Sequence, residues 1–85
     1  SYRQFQAAAA VASMSAGANS GVKHLKHPGE ELVYVLSGQV RFTVGNDVYA
    51  LKMGDSLHFS GDVPHRWENL GKKTAQLIWF ALRSG

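Results

Sequence analysis

Residues 24–38 read HLKHPGEELVYVLSG, and this stretch decides how the rest of the sequence is interpreted. Two histidines and two adjacent glutamates stand directly before an apolar run, residues 32–36, that is typical of a β-strand. Because alternate side chains of a strand share a face, Glu31 is expected on the same face as the two valines of this run. His27 lies four residues before Glu31, across a Pro-Gly bend. The stretch therefore raises the question of which of these polar side chains, if any, bind a metal ion.

Length and composition limit the classes of function. With 85 residues the chain is expected to form one domain, 1–85. Because it does not begin with methionine, the chain is interpreted as a possible fragment of a longer protein. It contains no cysteine, which excludes disulfides and thiolate ligands. The net charge of +3 is scattered, so this chain is not expected to bind DNA by itself. No apolar run approaches the ~20 residues that span a membrane. The absence of cysteine fits the expected localisation, which is cytoplasmic.

Glycine-rich turns divide the sequence into short runs rich in β-branched and aromatic residues, which predicts an all-β sandwich or barrel. The predicted strands cover residues 4–14, 32–36, 39–44, 48–51, 57–59, 65–68 and 74–82. Ser37-Gly38 is interpreted as a two-residue turn that joins the second and third strands in a hairpin. Residues 45–47, Gly-Asn-Asp, are interpreted as the next turn.

The pattern of histidines and carboxylates predicts one site. His65 opens a later strand, and a barrel can bring it together with His27 and Glu31 at one end. Two imidazoles and one carboxylate, with open positions left over, suit Fe(II), Mn, Ni or Zn. The alternative is a hydrogen-bonded polar cluster of the same three residues that binds an anion or a small molecule without a metal.

At these residues the chain resembles the cupin family. His27, Glu31 and Gly38 match the first cupin motif, and the second motif is matched by Gly54, His65 and Asn69. The resemblance covers roughly residues 25–69 and implies a small double-stranded β-helix of the jelly-roll type, with the metal held by His27, Glu31 and His65.

Two positions depart from the family pattern. Leu25 stands where the family has its first histidine, so one of four expected ligands is missing, and Ser60-Gly61-Asp62 replaces a Pro-x-Gly. His24 is next to the gap, but neighbouring strand residues point to opposite faces, so His24 is expected to be a bystander. Glu30 is likewise expected to face solvent.

Further side chains are candidates for contact with a small molecule, each with a structural alternative. Trp67 shares a strand face with His65 and can instead pack in the core, while His58 can line the cavity or be an ordinary strand residue. Arg66 can pair with a carboxylate at the rim or be exposed. The predicted ligand-binding set is Tyr34, His58, Arg66 and Trp67. The simplest expectation for the aromatic side chains Tyr34, Phe42, Trp79 and Phe80 is the core.

The sequence is compatible with three classes of function. Residues 29–56 and 59–69 are similar to the C-terminal cupin domains of bacterial helix-turn-helix (XRE-type) transcription regulators. This implies a domain that binds a small-molecule effector, with the DNA-binding domain outside this chain. The alternatives are a stand-alone metal-dependent enzyme (a dioxygenase, lyase or isomerase) and a metal-free binding or storage domain in which the barrel serves assembly. A homodimer is expected in each case, because a small barrel leaves edge strands to pair.

Overall fold

The computed structural model of the protein describes residues 7–21 and 25–82, and strands are its regular elements there. The strands are β1 Ala7–Met14, β2 Glu30–Ser37, β3 Gln39–Val44, β4 Asp47–Lys52, β5 Ser56–Ser60, β6 His65–Glu68 and β7 Ala75–Leu82. The all-β prediction is therefore confirmed, and the described strands overlap every predicted one. Residues 4–6 of the first predicted strand, and His24, lie outside the described residues. No helix in the described ranges is long and apolar enough to cross a membrane.

Two antiparallel sheets enclose the core. One has the strand order β1-β7-β2-β5 and the other the order β4-β3-β6. Their buried apolar side chains form one cluster: Met14, Val33, Val35, Val40, Phe42, Leu51, Phe59, Ala75 and Leu77. On β2 the alternation is regular, since Glu31, Val33 and Val35 are buried and their neighbours are exposed. This arrangement is the predicted jelly roll.

The connection at Gly38 differs from the prediction. Strand β2 pairs with β5 and β7, whereas β3 pairs with β4 and β6, so the hairpin predicted between β2 and β3 is wrong. Gly38 instead carries the chain from one sheet to the other, with a φ of 80°. A Cβ atom here would lie 2.8 Å from the Cα of Ala75. The predicted turn after β3 does form a hairpin, since Val44 pairs with Asp47 across Gly45-Asn46.

The segment before β2 covers the second edge of β6. Leu25 and His65 form an antiparallel bridge in which each N–H donates to the other's carbonyl, at 2.7 and 3.0 Å. Further along, Asn19 bridges Glu68. Because β3 pairs with the opposite edge, the strand that carries His65 is held from both sides.

The expectation that four aromatic side chains lie in the core is only partly correct. Phe42 is fully buried, and Trp79 packs against the core. Tyr34 and Phe80 are each 40% exposed, on the outer face of the four-stranded sheet. Since adjacent residues of a strand face opposite sides, Trp79 and Phe80 cannot both point inwards.

Candidate metal centre

The structure brings the three predicted ligands together. His27 lies in the loop before β2, Glu31 in β2 and His65 at the start of β6, and one ligand atom of each lies within 4.8 Å of the other two. Glu31 is 5% exposed and His65 is fully buried, whereas His27 is exposed. The site therefore has two buried ligands and one that reaches solvent. Within the described ranges no fourth His, Asp or Glu joins this cluster.

The backbone fixes the tautomer of His65. Its Nδ1 lies 2.8 Å from the carbonyl oxygen of Val63. A carbonyl oxygen only accepts, so Nδ1 carries the hydrogen and donates it. In a neutral ring the lone pair is then on Nε2, which lies 3.3 Å from Oε2 of Glu31. This is the form in which an imidazole binds a metal.

The two facing atoms lack a hydrogen-bond partner. Both Nε2 of His65 and Oε2 of Glu31 are buried without a donor or acceptor in bonding geometry. Leaving such a group unsatisfied costs about 1–3 kcal/mol, and more for a charged one. Two lone pairs that face each other repel, and a cation bound between them would remove this repulsion. Two imidazoles and one carboxylate form a donor set suited to Fe(II), Mn, Ni or Zn, so the residues present fit a divalent metal.

Trp79 holds the other oxygen of the carboxylate. Its indole N–H donates to Oε1 of Glu31 at 2.6 Å, which leaves Oε2 to face the histidines. In the sheet Trp79 pairs with Val33 and is therefore a diagonal neighbour of Glu31, a separation that a large aromatic side chain can bridge. The sequence analysis assigned Trp79 to the core and missed this contact.

Gly61 is packed against the cluster. A Cβ atom at this position would lie 2.6 Å from the carbonyl oxygen of His27 and 2.9 Å from Oε2 of Glu31. The backbone of Gly61 also exchanges hydrogen bonds with this loop, donating to the Gly29 carbonyl and accepting from the His27 N–H, both at 2.7 Å. Only a residue without a side chain fits here. The sequence analysis named Gly61 only as part of the replaced Pro-x-Gly and did not predict this packing.

Comparison with known proteins identifies the family. The family model of the cupin domain (Cupin_2) matches residues 10–81, which is most of the chain. This chain belongs to the cupin family.

Individual proteins resemble the chain at low sequence identity. The Cupin_2 domain of an XRE family transcriptional regulator from Enterobacter cloacae is 19% identical, with a TM-score of 0.87 over 98% of this chain and 87% of that one. A predicted oxalate decarboxylase from Thermotoga maritima is 25% identical, with a TM-score of 0.82 over 93% of this chain and 69% of that one. The uncharacterized protein MJ1618 of Methanocaldococcus jannaschii is 29% identical over 55 residues, 65% of this chain. The match covers 44% of MJ1618, so the chain spans less than half of this curated relative.

Leu25 occupies the position at which the cupin motif has its first histidine. Because it pairs directly with His65 across the bridge, its side chain lies on the same face as the imidazole. The ring of Phe59 packs against that of His65, with 4.9 Å between the two ring centroids. In this cupin an aliphatic and an aromatic side chain therefore border the His-Glu-His cluster, and three protein ligands leave coordination positions open.

The four predicted ligand-binding residues are dispersed. Trp67 faces the interior with His65, partly buried against the core. Tyr34 and His58 lie on the outer face of the four-stranded sheet, where Nε2 of His58 is 2.8 Å from Oε1 of Glu30. Arg66 lies on the outer face of the other sheet. None of the four is a member of the metal cluster.

Arg66 belongs to an ion-pair group on that outer face. It lies 3.6 Å from Glu68, whose other oxygen accepts from Arg41 at 2.7 Å. The hydrogen bond from Arg41 lowers the pKa of Glu68 below its usual 4.5, with both guanidinium charges adding to the effect against partial desolvation. These groups stay ionised at neutral pH and suit a surface in contact with water.

Proposed function

We propose that this cupin domain binds a divalent metal ion through His27, Glu31 and His65 and receives a small-molecule effector at the open positions. One observation carries the metal assignment: the buried and unpartnered Nε2 of His65 and Oε2 of Glu31 face each other at 3.3 Å. The metal would orient an effector through an anionic or carbonyl oxygen bound at an open coordination position.

The regulatory role is supported by the likeness to the XRE-regulator domain and by the composition of the site. That likeness extends over 98% of this chain. In such a protein the effector acts by binding two conformations unequally, and the DNA-binding domain would lie outside this chain. Leu25 and Phe59 give the site an apolar wall. Among the described residues, no fourth His, Asp or Glu joins the cluster to act as a separate acid or base.

A metal-dependent enzyme is the second candidate. The observation in its favour is the likeness to the predicted oxalate decarboxylase, which is 25% identical and covers 93% of this chain. In such an enzyme a bound metal supplies Lewis-acid or oxygen-activating chemistry. Exposed His27 would then be the group nearest to an entering substrate.

Metal binding is tested by titrating the chelator-treated protein with Fe(II) without oxygen, and with Mn(II), Ni(II) and Zn(II). We expect one ion per chain, and loss of this binding in Glu31→Gln and His65→Gln. His58→Ala is the matched control, because His58 is an imidazole paired with a glutamate on the outer face. Absence of stoichiometric binding for all four ions, or equal loss in His58→Ala, contradicts the proposal.

The effector role is tested by screening the metal-loaded protein against small carboxylates, sugars and amino acids, with thermal stabilisation as the readout. A sensor binds a hit and leaves it chemically unchanged, and Glu31→Gln loses the response. Turnover of the hit supports the enzyme instead. A hit that stabilises the metal-free protein and Glu31→Gln equally supports a metal-free binding pocket.

A further inference from the structure

The inner face of β1 is lined by small side chains. Ala8, Ala10 and Ala12 lie on the same face as Met14, a core residue, because alternate residues of a strand share a face. Ala10 is nevertheless exposed, and Ala8 and Ala12 are only partly buried. Solvent therefore reaches the inner face of this strand. These three residues are called the alanine row below.

The neighbours of the alanine row on β7 are accessible as well. Ala8 pairs with Ala81 and Ala10 pairs with Trp79, and both partners are only partly buried. Leu77, two residues before Trp79, is by contrast fully buried in the core. The interior is therefore closed towards Leu77 and accessible towards the Ala8 end of the alanine row.

The accessible end of the alanine row lies beside the metal cluster. Ala81 pairs with Ala8 on one side and with Glu31 on the other. Direct cross-strand partners share a face, so these three side chains form one row across the inner face of the sheet, over two strand spacings of together roughly 10 Å. Oε2 of Glu31 and Nε2 of His65 are buried without a hydrogen-bond partner. The accessible apolar surface therefore adjoins two polar atoms that call for a ligand.

The wall on the other side of the cluster is also apolar. His65 pairs with Leu25 on one side and with Val44 on the other, so both aliphatic side chains flank the imidazole on its own face. Phe59 packs against the same ring. Asp47 continues this row beyond Val44, where it is exposed. A group bound to the metal at an open position therefore has apolar side chains beside it.

From the alanine row and this apolar wall we propose that the small molecule bound at the metal is a monocarboxylate with an apolar body. Its carboxylate would bind the metal, and its body would lie along the alanine row beside Trp79. The inference rests on the proposed metal site and holds for a sensor and for an enzyme alike.

The size and chemistry of the alanine row fit this class of molecule. From Ala8 to Ala12 it is about 13 Å long at the usual strand rise, which suits a short acyl chain or an aromatic ring on a short linker. Alanine side chains cannot form hydrogen bonds with the hydroxyl groups of a sugar, and burying such groups unpaired is costly. A carboxylate oxygen, in contrast, is a suitable ligand for the metals that two imidazoles and a carboxylate bind.

The first test compares ligands on the metal-loaded wild type by calorimetric titration. The series is acetate, butanoate, hexanoate and phenylacetate, with succinate and glucose as polar controls. We expect the affinity to rise about threefold to fourfold for each methylene added from acetate to hexanoate, which is the value for full burial of a CH₂ group. Phenylacetate is expected to bind at least tenfold more tightly than acetate. Equal affinity along the series, or succinate or glucose binding as tightly as hexanoate, overturns the proposal.

The second test fills the space over the alanine row with Ala10→Leu. We expect this variant to bind hexanoate at least tenfold more weakly than the wild type and acetate equally well, because acetate reaches only the metal. Ala9→Leu is the matched control, since Ala9 is exposed on the opposite face of the same strand and pairs with Phe80. Circular dichroism and metal titration confirm that each variant is folded and binds one ion. Unchanged hexanoate affinity in folded Ala10→Leu, or an equal loss in Ala9→Leu, contradicts the proposal.

The metal site and the class of ligand fail in different ways. Stoichiometric metal binding with no preference for hexanoate over acetate overturns the class of ligand and leaves the metal site intact. Absence of stoichiometric metal binding overturns both.

Discussion

At the scale of single residues, the hydrogen bond from Trp79 to Glu31 decides which carboxylate oxygen meets the metal. In Trp79→Phe the ring remains and the N–H donor is lost, so Oε1 of Glu31 loses its 2.6 Å partner. The carboxylate can then rotate, and Oε2 is no longer held towards His65. We expect a 10–100-fold loss of metal affinity, the usual effect of removing a group that orients a ligand. Calorimetric titration of the metal into both proteins measures it.

Trp67→Phe is the control for this prediction. Trp67 also points inwards and packs against the core, but its hydrogen bonds within the described ranges are made by its backbone. We expect its metal affinity to stay near that of the wild type. Equal losses in the two variants would show that core loosening, and not the hydrogen bond, controls the site. An unchanged affinity in Trp79→Phe would show that the hydrogen bond does not orient the carboxylate.

Local spacing predicted the ligands but not the groups that orient them. His27 and Glu31 are four residues apart and could be found in one stretch, and the motif spacing added His65. Trp79 meets Glu31 across 48 residues of sequence, through the register of β2 with β7. The alternation in each strand indicates which face is buried, but not which strand is its partner or which residues lie opposite each other. The close packing of Gly61 could not be predicted from the sequence either, because it depends on a contact between two loops.

At the scale of elements, Gly38 connects β2 of one sheet to β3 of the other. Its φ of 80° alone makes alanine unfavourable by about 1–2 kcal/mol. The added Cβ would also lie 2.8 Å from the Cα of Ala75 and 2.9 Å from the carbonyl oxygen of Thr74, which are backbone atoms that cannot turn away. We therefore expect Gly38→Ala to lower the free energy of unfolding by clearly more than the backbone term, as measured by urea denaturation.

Gly17→Ala separates the two contributions. Gly17 has nearly the same φ, 81°, but a Cβ there would meet no atom within 4 Å. We expect this variant to lose only the backbone term of about 1–2 kcal/mol. If both variants lose the same amount, the contact with β7 has no influence on stability, and Gly38 is required for its backbone conformation alone.

The connection at Gly38 also shows why strand positions were predictable from the sequence and strand pairing was not. Alternation and glycine spacing located the strands, including all of β6. A short turn between two apolar runs, however, looks alike whether it closes a hairpin or passes the chain between sheets. Gly45-Asn46 does the first and Gly38 does the second. The difference arises from long-range pairing of β2 with β7, which local sequence does not contain.

At the scale of the whole molecule, the metal cluster joins the two sheets. Glu31 belongs to the four-stranded sheet and His65 to the three-stranded sheet, while His27 comes from the loop that precedes β2. A metal ion held by all three would link both layers of the fold. Global unfolding must separate these ligands, so metal binding is expected to stabilise the entire domain and not just one loop.

The corresponding prediction concerns thermal stability with and without the metal. At a free metal concentration of 100 times Kd, binding to the folded state alone adds about 2.7 kcal/mol, which for a domain of this size raises Tm by roughly 10–20 °C. Calorimetry of the chelator-treated and reloaded protein at one protein concentration measures the shift, and Glu31→Gln should show none. A shift that persists in Glu31→Gln would place the ion elsewhere. Equal protection of β2 and β6 amides in hydrogen exchange would show that one ion stabilises both sheets.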